Sequence, residues 1–131
     1  MDSKPEKGFG SFFTYFRLIL EDDMKIAKRY EKGKLTIFLY GELDHHAARS
    51  TMRAINDLVD AELPRQVVLD FGGLSFMDSS GIALILKLKR LMEICGGEVW
   101  VEHANRQVLR VLEASGIGKI VPIAMETGRE L

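Results

Sequence analysis

Two hydroxyls, a carboxylate and a glycine stand together at Asp78-Ser79-Ser80-Gly81. Apolar Val67-Val68-Leu69 precedes them, and a long apolar-periodic segment opens at Ile82. The quartet therefore falls where a strand ends and a helix begins. The first N–H groups of a helix have no intrahelical carbonyl to bond, so this junction suits either a capping side chain or a phosphate. Residue type alone leaves both uses of Ser79 open: an N-cap, or a hydroxyl that accepts a phosphoryl group and about −1.5 to −2 charges with it. Asp78 reads as a cap or as a neighbour suited to kinase recognition. Ser80 reads as a neighbour whose hydroxyl serves a local backbone bond. Gly81 permits close approach of a backbone or a nucleotide, or answers a packing need.

A second polar group, Asp44-His45-His46, stands at another predicted helix start. Asp44 can cap that helix and is expected near the Ser79 loop. A hydrolase built from Ser79 with His45 or His46 lacks a G-x-S-x-G elbow, and adjacent histidines are expected to project in different directions. The pair reads equally well as polar surface or as partner contact. Three histidines and one cysteine give no zinc spacing, so neither a metal nor a cofactor is expected. Cys95 excludes an intrachain disulfide, suits a reducing cytoplasm and, lying in a predicted helix, is expected in the core.

The elements that must position these groups follow a regular pattern from Lys25 onward. Residues 26–30 and 35–40 read as a hairpin around Glu31-Lys32-Gly33-Lys34. Gly41-Glu42-Leu43-Asp44 leaves the strand. A helix with an apolar stripe at Ala48, Met52, Ile55 and Val59 follows, ended near Pro64. Residues 67–71 form a doubly buried strand. The next helix covers about 80–95 with Leu84, Ile85, Leu88, Leu91, Met92 and Cys95 inward and Lys87, Lys89, Arg90 and Glu93 solvated. Gly96-Gly97 ends it. Val99-Trp100-Val101 is a strand, with Trp100 expected in the core. Asn105 caps a short helix carrying Val108, Val111 and Leu112, and residues 119–123 make a last strand. This β-β-α-β-α-β-α-β order predicts an α/β domain with a small mixed sheet and helices mainly on one face.

At 131 residues, with 47% hydrophobic and 28% charged residues, a single globular domain is expected. The net charge of −1 provides no global field to attract nucleic acid or an anionic membrane. Residues 1–23 stand apart. Phe9, Phe12, Phe13 and Phe16 recur at helical spacing and are four of seven phenylalanines. The stretch is too short to span a membrane, contains Arg17 and lacks a signal-peptide cleavage site. Three readings stand: an extra helix on the domain, an amphipathic partner-binding segment, or a stretch outside the native chain, with Met24 as its start. The last, or a loosely attached appendage, is the expectation.

Three strings carry a family resemblance: GELDHHAA at 41–48, SFMDSSGIALIL at 75–86 and VLRVLEASGIGKIVPI at 108–123. In this order they resemble the anti-sigma factor antagonists of the STAS domain family, over residues 24–125, with 126–131 a polar tail. The resemblance implies a STAS-type fold and a binding module without catalysis. It implies a partner, an anti-sigma factor that is also a GHKL-type serine kinase, and a PP2C-type phosphatase that reverses its action. Ser79, the first serine after the aspartate, takes the place of the family's phosphoacceptor. Asp44, His45, His46, Asp78, Ser79, Ser80 and Gly81 become the partner surface. The His45-His46 pair leans towards the sporulation branch; a stress-response antagonist and a STAS subunit of a membrane transporter are the alternatives. Neither direct nucleic-acid binding nor membrane association is expected, and the location expected is cytoplasmic.

Overall fold

The computed structural model describes residues 14–18 and 24–124. Six strands form one sheet in chain order: β1 (Thr14–Leu18), β2 (Lys25–Glu31), β3 (Lys34–Leu43), β4 (Gln66–Met77), β5 (Glu98–Glu102) and β6 (Ile123–Ala124). The first three pair antiparallel and β3 to β6 pair parallel. Helices α1 (His45–Glu62), α2 (Ser79–Ile94) and α3 (Arg106–Ser115) make the crossovers, and a 3₁₀ turn at Ile117–Lys119 follows α3. Right-handed crossovers that each advance one strand in the same direction leave their helices on one face. The core agrees: Leu35, Ile37, Leu39, Val67, Leu69, Phe71, Val99 and Val101 pack with residues of all three helices.

The hairpin of β2 and β3 turns at Lys32 and Gly33, both with positive φ, as the expected turn requires. The strand then runs on to Leu43 instead of ending at Tyr40. Likewise β4 does not stop at Phe71 but crosses Gly72-Gly73 and continues to Met77. Two register shifts, between Phe38 and Tyr40 and between Gly41 and Glu42, carry the pairing forward until Leu43 faces Met77. Gly73 sits at the first of these irregularities, where a Cβ would lie 2.3 Å from Tyr40 Cδ2 and 2.8 Å from the Leu39 carbonyl oxygen. Only a residue without a side chain fits this crossing.

Several expectations are corrected. The inward face of α1 is Ala47, Thr51, Ala54, Ile55, Leu58 and Val59; Ala48 and Met52 are half-buried at its edge. The small residues Ala47, Thr51 and Ala54 take the inward face, so the stripe is rotated from the one expected. In α2, Gly81, Leu84, Ile85, Leu88 and Met92 face inward. Cys95 is exposed, because the helix ends at Ile94 and Gly96, at φ +78, turns the chain away. Trp100 is half-buried, and its indole N–H donates to Glu102 Oε2 at 2.9 Å. The last strand is only Ile123–Ala124, since the 3₁₀ turn consumes the residues before it. Thr14–Leu18 is an edge strand against β2 and not helical. Its β-branched and aromatic residues suit a strand, and the pairing covers the backbone edge of β2. Phe9, Phe12 and Phe13 lie outside the described residues, as does the tail at 126–131.

Candidate functional site

Because Leu43 and Met77 are neighbours in the parallel pair of β3 and β4, the residues after them leave the sheet side by side. The Asp78 N–H donates to the Leu43 carbonyl at 3.3 Å and ties the two exits together. Each exit is an aspartate with extended backbone, and each caps a helix. Asp44 Oδ1 accepts from Ala47 N at 3.0 Å, and Asp78 Oδ1 accepts from Ser80 N at 2.8 Å. Two helix N-termini thus open at the same end of the sheet. This places Asp44 beside the Asp78-Ser79 loop, as the sequence reading expected.

Capping of α2 belongs to Asp78, and this decides what Ser79 is free to do. Ser79 is the first helical residue and is exposed. Its hydroxyl has no hydrogen-bond partner among the described residues. Ser80 is half-buried; its backbone N–H is held by Asp78, while its own hydroxyl makes no local backbone bond, contrary to expectation. Gly81 is buried, and a Cβ there would meet Met77 Cγ and Sδ at 2.4 Å. Gly81 answers a packing need: without a Cβ it lets the first turn of α2 sit down on Met77.

Two grooves flank this first turn. A trough of about 650 Å³ between α1 and α2 takes Ser80 into its wall, together with His45, His46, Arg49, Arg53 and Lys87. A smaller hollow of about 380 Å³ between α2 and α3 takes Ser79, with Ile82, Gln107, Arg110 and Val111. The histidine rings do not diverge; they meet edge to face, centroids 5.9 Å apart, in the wall of the first groove. Ser79 and the histidine pair line different grooves, which is not the arrangement of a nucleophile and its base.

Sequence reasoning missed Gln107. Its Nε2 donates to the Met77 carbonyl and its Oε1 accepts from the Met77 N–H, both at 3.0 Å. Asn105, besides capping α3 through Val108 N at 2.9 Å, donates from Nδ2 to the Leu74 carbonyl at 2.8 Å. A cap signal marked Asn105; nothing local marks Gln107, whose partner is 30 residues away. Sequence spacing likewise gave no sign of the cluster of Asp70, Glu102 and His103, whose ligand-type atoms lie within 4.8 Å of one another. Hydrogen bonds account for it: His103 Nδ1 to Asp70 Oδ2 at 2.9 Å, Gly72 N to Asp70 Oδ1 at 2.9 Å, and the Trp100 bond to Glu102.

A small mixed sheet with three helices on one face, and an exposed serine at a strand-to-helix exit, defines a small α/β domain. The STAS domain model matches residues 25–129, and the chain belongs to that family. It is 36% identical over 101 residues to the anti-sigma F factor antagonist of Paenibacillus polymyxa, covering 77% of this chain and 86% of that relative. Its fold is similar to that of the anti-sigma factor antagonist SpoIIAA in its unphosphorylated form, at 30% identity and a TM-score of 0.65, over 78% of this chain and 90% of that one. It is also similar to Bacillus SpoIIAA in the phosphorylated form, at 28% identity and a TM-score of 0.56, over 86% and 94% of the two chains. No helix among the described residues is long and apolar enough to cross a membrane.

Proposed function

We propose that this chain is an anti-sigma factor antagonist of the sporulation type that works by partner switching in the cytoplasm. In its unmodified form it binds an anti-sigma factor that is also a GHKL-type serine kinase, and so frees the sigma factor. The kinase then transfers the γ-phosphoryl group of ATP to Ser79 Oγ; the hydroxyl proton is lost, the Oγ–P bond forms and ADP leaves. A PP2C-type phosphatase hydrolyses that bond and restores the hydroxyl. The single observation that carries this reading is the exposed Ser79 hydroxyl left free by the capping of Asp78. The similarity to an anti-sigma F factor antagonist and to SpoIIAA in its phosphorylated form supports the same reading.

The chemistry favours a local switch. A phosphate at the first turn of α2 meets the positive end of the helix dipole, so the fold tolerates it. The same phosphate brings about −1.5 to −2 charges beside Asp78 and Asp44. An interface packed flush over these residues would have to bury a crowded, unpaired anion, at a cost of roughly 2–5 kcal/mol. That corresponds to some tens- to thousands-fold in affinity, since each 1.4 kcal/mol is about tenfold. The test is binding of the anti-sigma F factor of Paenibacillus polymyxa by calorimetry. Ser79→Ala should bind as well as the unchanged chain and Ser79→Asp much more weakly. Equal affinities of the two variants would refute the switch.

A further inference from the structure

The trough between α1 and α2 carries charge of one sign. Arg49 and Arg53 from α1 and Lys87 from α2 line it, and no aspartate or glutamate does. Ion pairs engage other cations, Lys28 with Glu62 and Lys89 with Glu93; the three in the trough have no ion-pair partner among the described residues. The whole chain is at −1, so composition does not explain this concentration. Arg49 and Arg53 are also four residues apart on one helix, a like-charge spacing that works against helix stability. Below them lie Met52, half-buried, and Leu84, buried.

We propose that this trough docks an acidic amphipathic helix of the anti-sigma partner. Its carboxylates would face Arg49, Arg53 and Lys87, and an apolar residue would rest on Met52 and Leu84. The inference rests on the antagonist reading above and adds where and by what chemistry the partner is held. Dimensions favour a helix over a small anion. The α1 wall runs from His45 to Asn56, about 16 Å at 1.5 Å per residue, which is some three turns. A single phosphate would occupy a small part of it. Helix-in-groove recognition places anchors at such spacings. Ser80 stands in the wall of the trough, while Ser79 lines the neighbouring hollow between α2 and α3, so the trough holds the partner beside the modified residue and not on it.

The test uses the full chain and the anti-sigma F factor of Paenibacillus polymyxa, with affinity measured by calorimetry at low and high salt. Arg49→Glu/Arg53→Glu should weaken binding by about a hundredfold, a size expected where like charges are brought face to face. Arg49→Lys/Arg53→Lys should retain most of it, and Lys87→Glu, on the other wall, should lose it in the same sense. Affinity of the unchanged chain should fall with added salt. Unaltered melting by circular dichroism shows that the variants fold, and the Lys87 variant carries the test if the double variant does not. Undiminished binding by folded charge-reversed chains overturns the groove and leaves the antagonist reading intact. Failure of the unchanged chain to bind overturns both. Binding of the trough to phosphatidylglycerol vesicles, lost in the same variants while the protein complex is kept, also overturns the proposal.

Discussion

Gln107 holds both backbone polar groups of Met77, its amide donating to the carbonyl and accepting from the N–H at 3.0 Å each. The neighbouring strand β5 has already ended at Glu102, opposite Asp70, so β4 runs on without a partner on that side. The amide of Gln107 and that of Asn105, on the Leu74 carbonyl, take over the hydrogen bonds another strand would have made. Helix α3 thereby steadies the last residues before Asp78 and Ser79.

Replacing Gln107 by Leu should therefore cost stability and precision together. Met77 loses two partners, and an unsatisfied buried backbone group costs about 1–3 kcal/mol. Urea unfolding should report a loss in that range, and hydrogen exchange should quicken at the Met77 and Asp78 amides before the rest of the sheet.

Asp44→Ala and Asp78→Ala each remove a side chain that accepts from a first-turn N–H. Each should destabilise the fold by about 1 kcal/mol, and the asparagine variants by much less. Chemical denaturation of the four variants checks this ranking.

Gly73→Ala should be costly because its neighbours are a ring carbon and a backbone oxygen that cannot move aside cheaply. A loss of about 2 kcal/mol is expected for overpacking of this kind. Since the crossing sets which residues face each other at Leu43 and Met77, amide chemical shifts at Asp44 and Asp78 should move as well.

Thr51 lies fully buried on α1, and its Oγ1 has no hydrogen-bond partner among the described residues. Thr51→Val removes the stranded hydroxyl while keeping nearly the same shape. Stability should rise by about 1 kcal/mol, measured by urea unfolding.

What was legible in the sequence was local. Asp44 and Asn105 announced themselves as caps, Lys32-Gly33 as a turn, and the Asp78-Ser79 junction as a strand-to-helix exit, because each signal lies within a few residues of the structure it specifies. What stayed hidden depends on contacts between distant parts of the chain. The extension of β4 through Gly72-Gly73 looks like a strand terminator until Tyr40 and Leu39 are seen packed over it. The rotation of the α1 stripe shows only once Ala47, Thr51 and Ala54 are seen buried with Ile55, Leu58 and Val59. Cys95 looked apolar-periodic, but one residue past the helix end the period no longer applies. Residue types alone favoured Ser79 as a cap over an acceptor; the bond from Ser80 N to Asp78 assigns the cap to Asp78 instead.

The most direct measurement of the central claim is the location of phosphate after incubation with the anti-sigma F factor of Paenibacillus polymyxa and ATP, read by peptide mass spectrometry. The account predicts one phosphate, on Ser79, and none on a Ser79→Ala chain. A chain that binds this partner yet remains unmodified, or takes the phosphate on Ser80 instead, would contradict it.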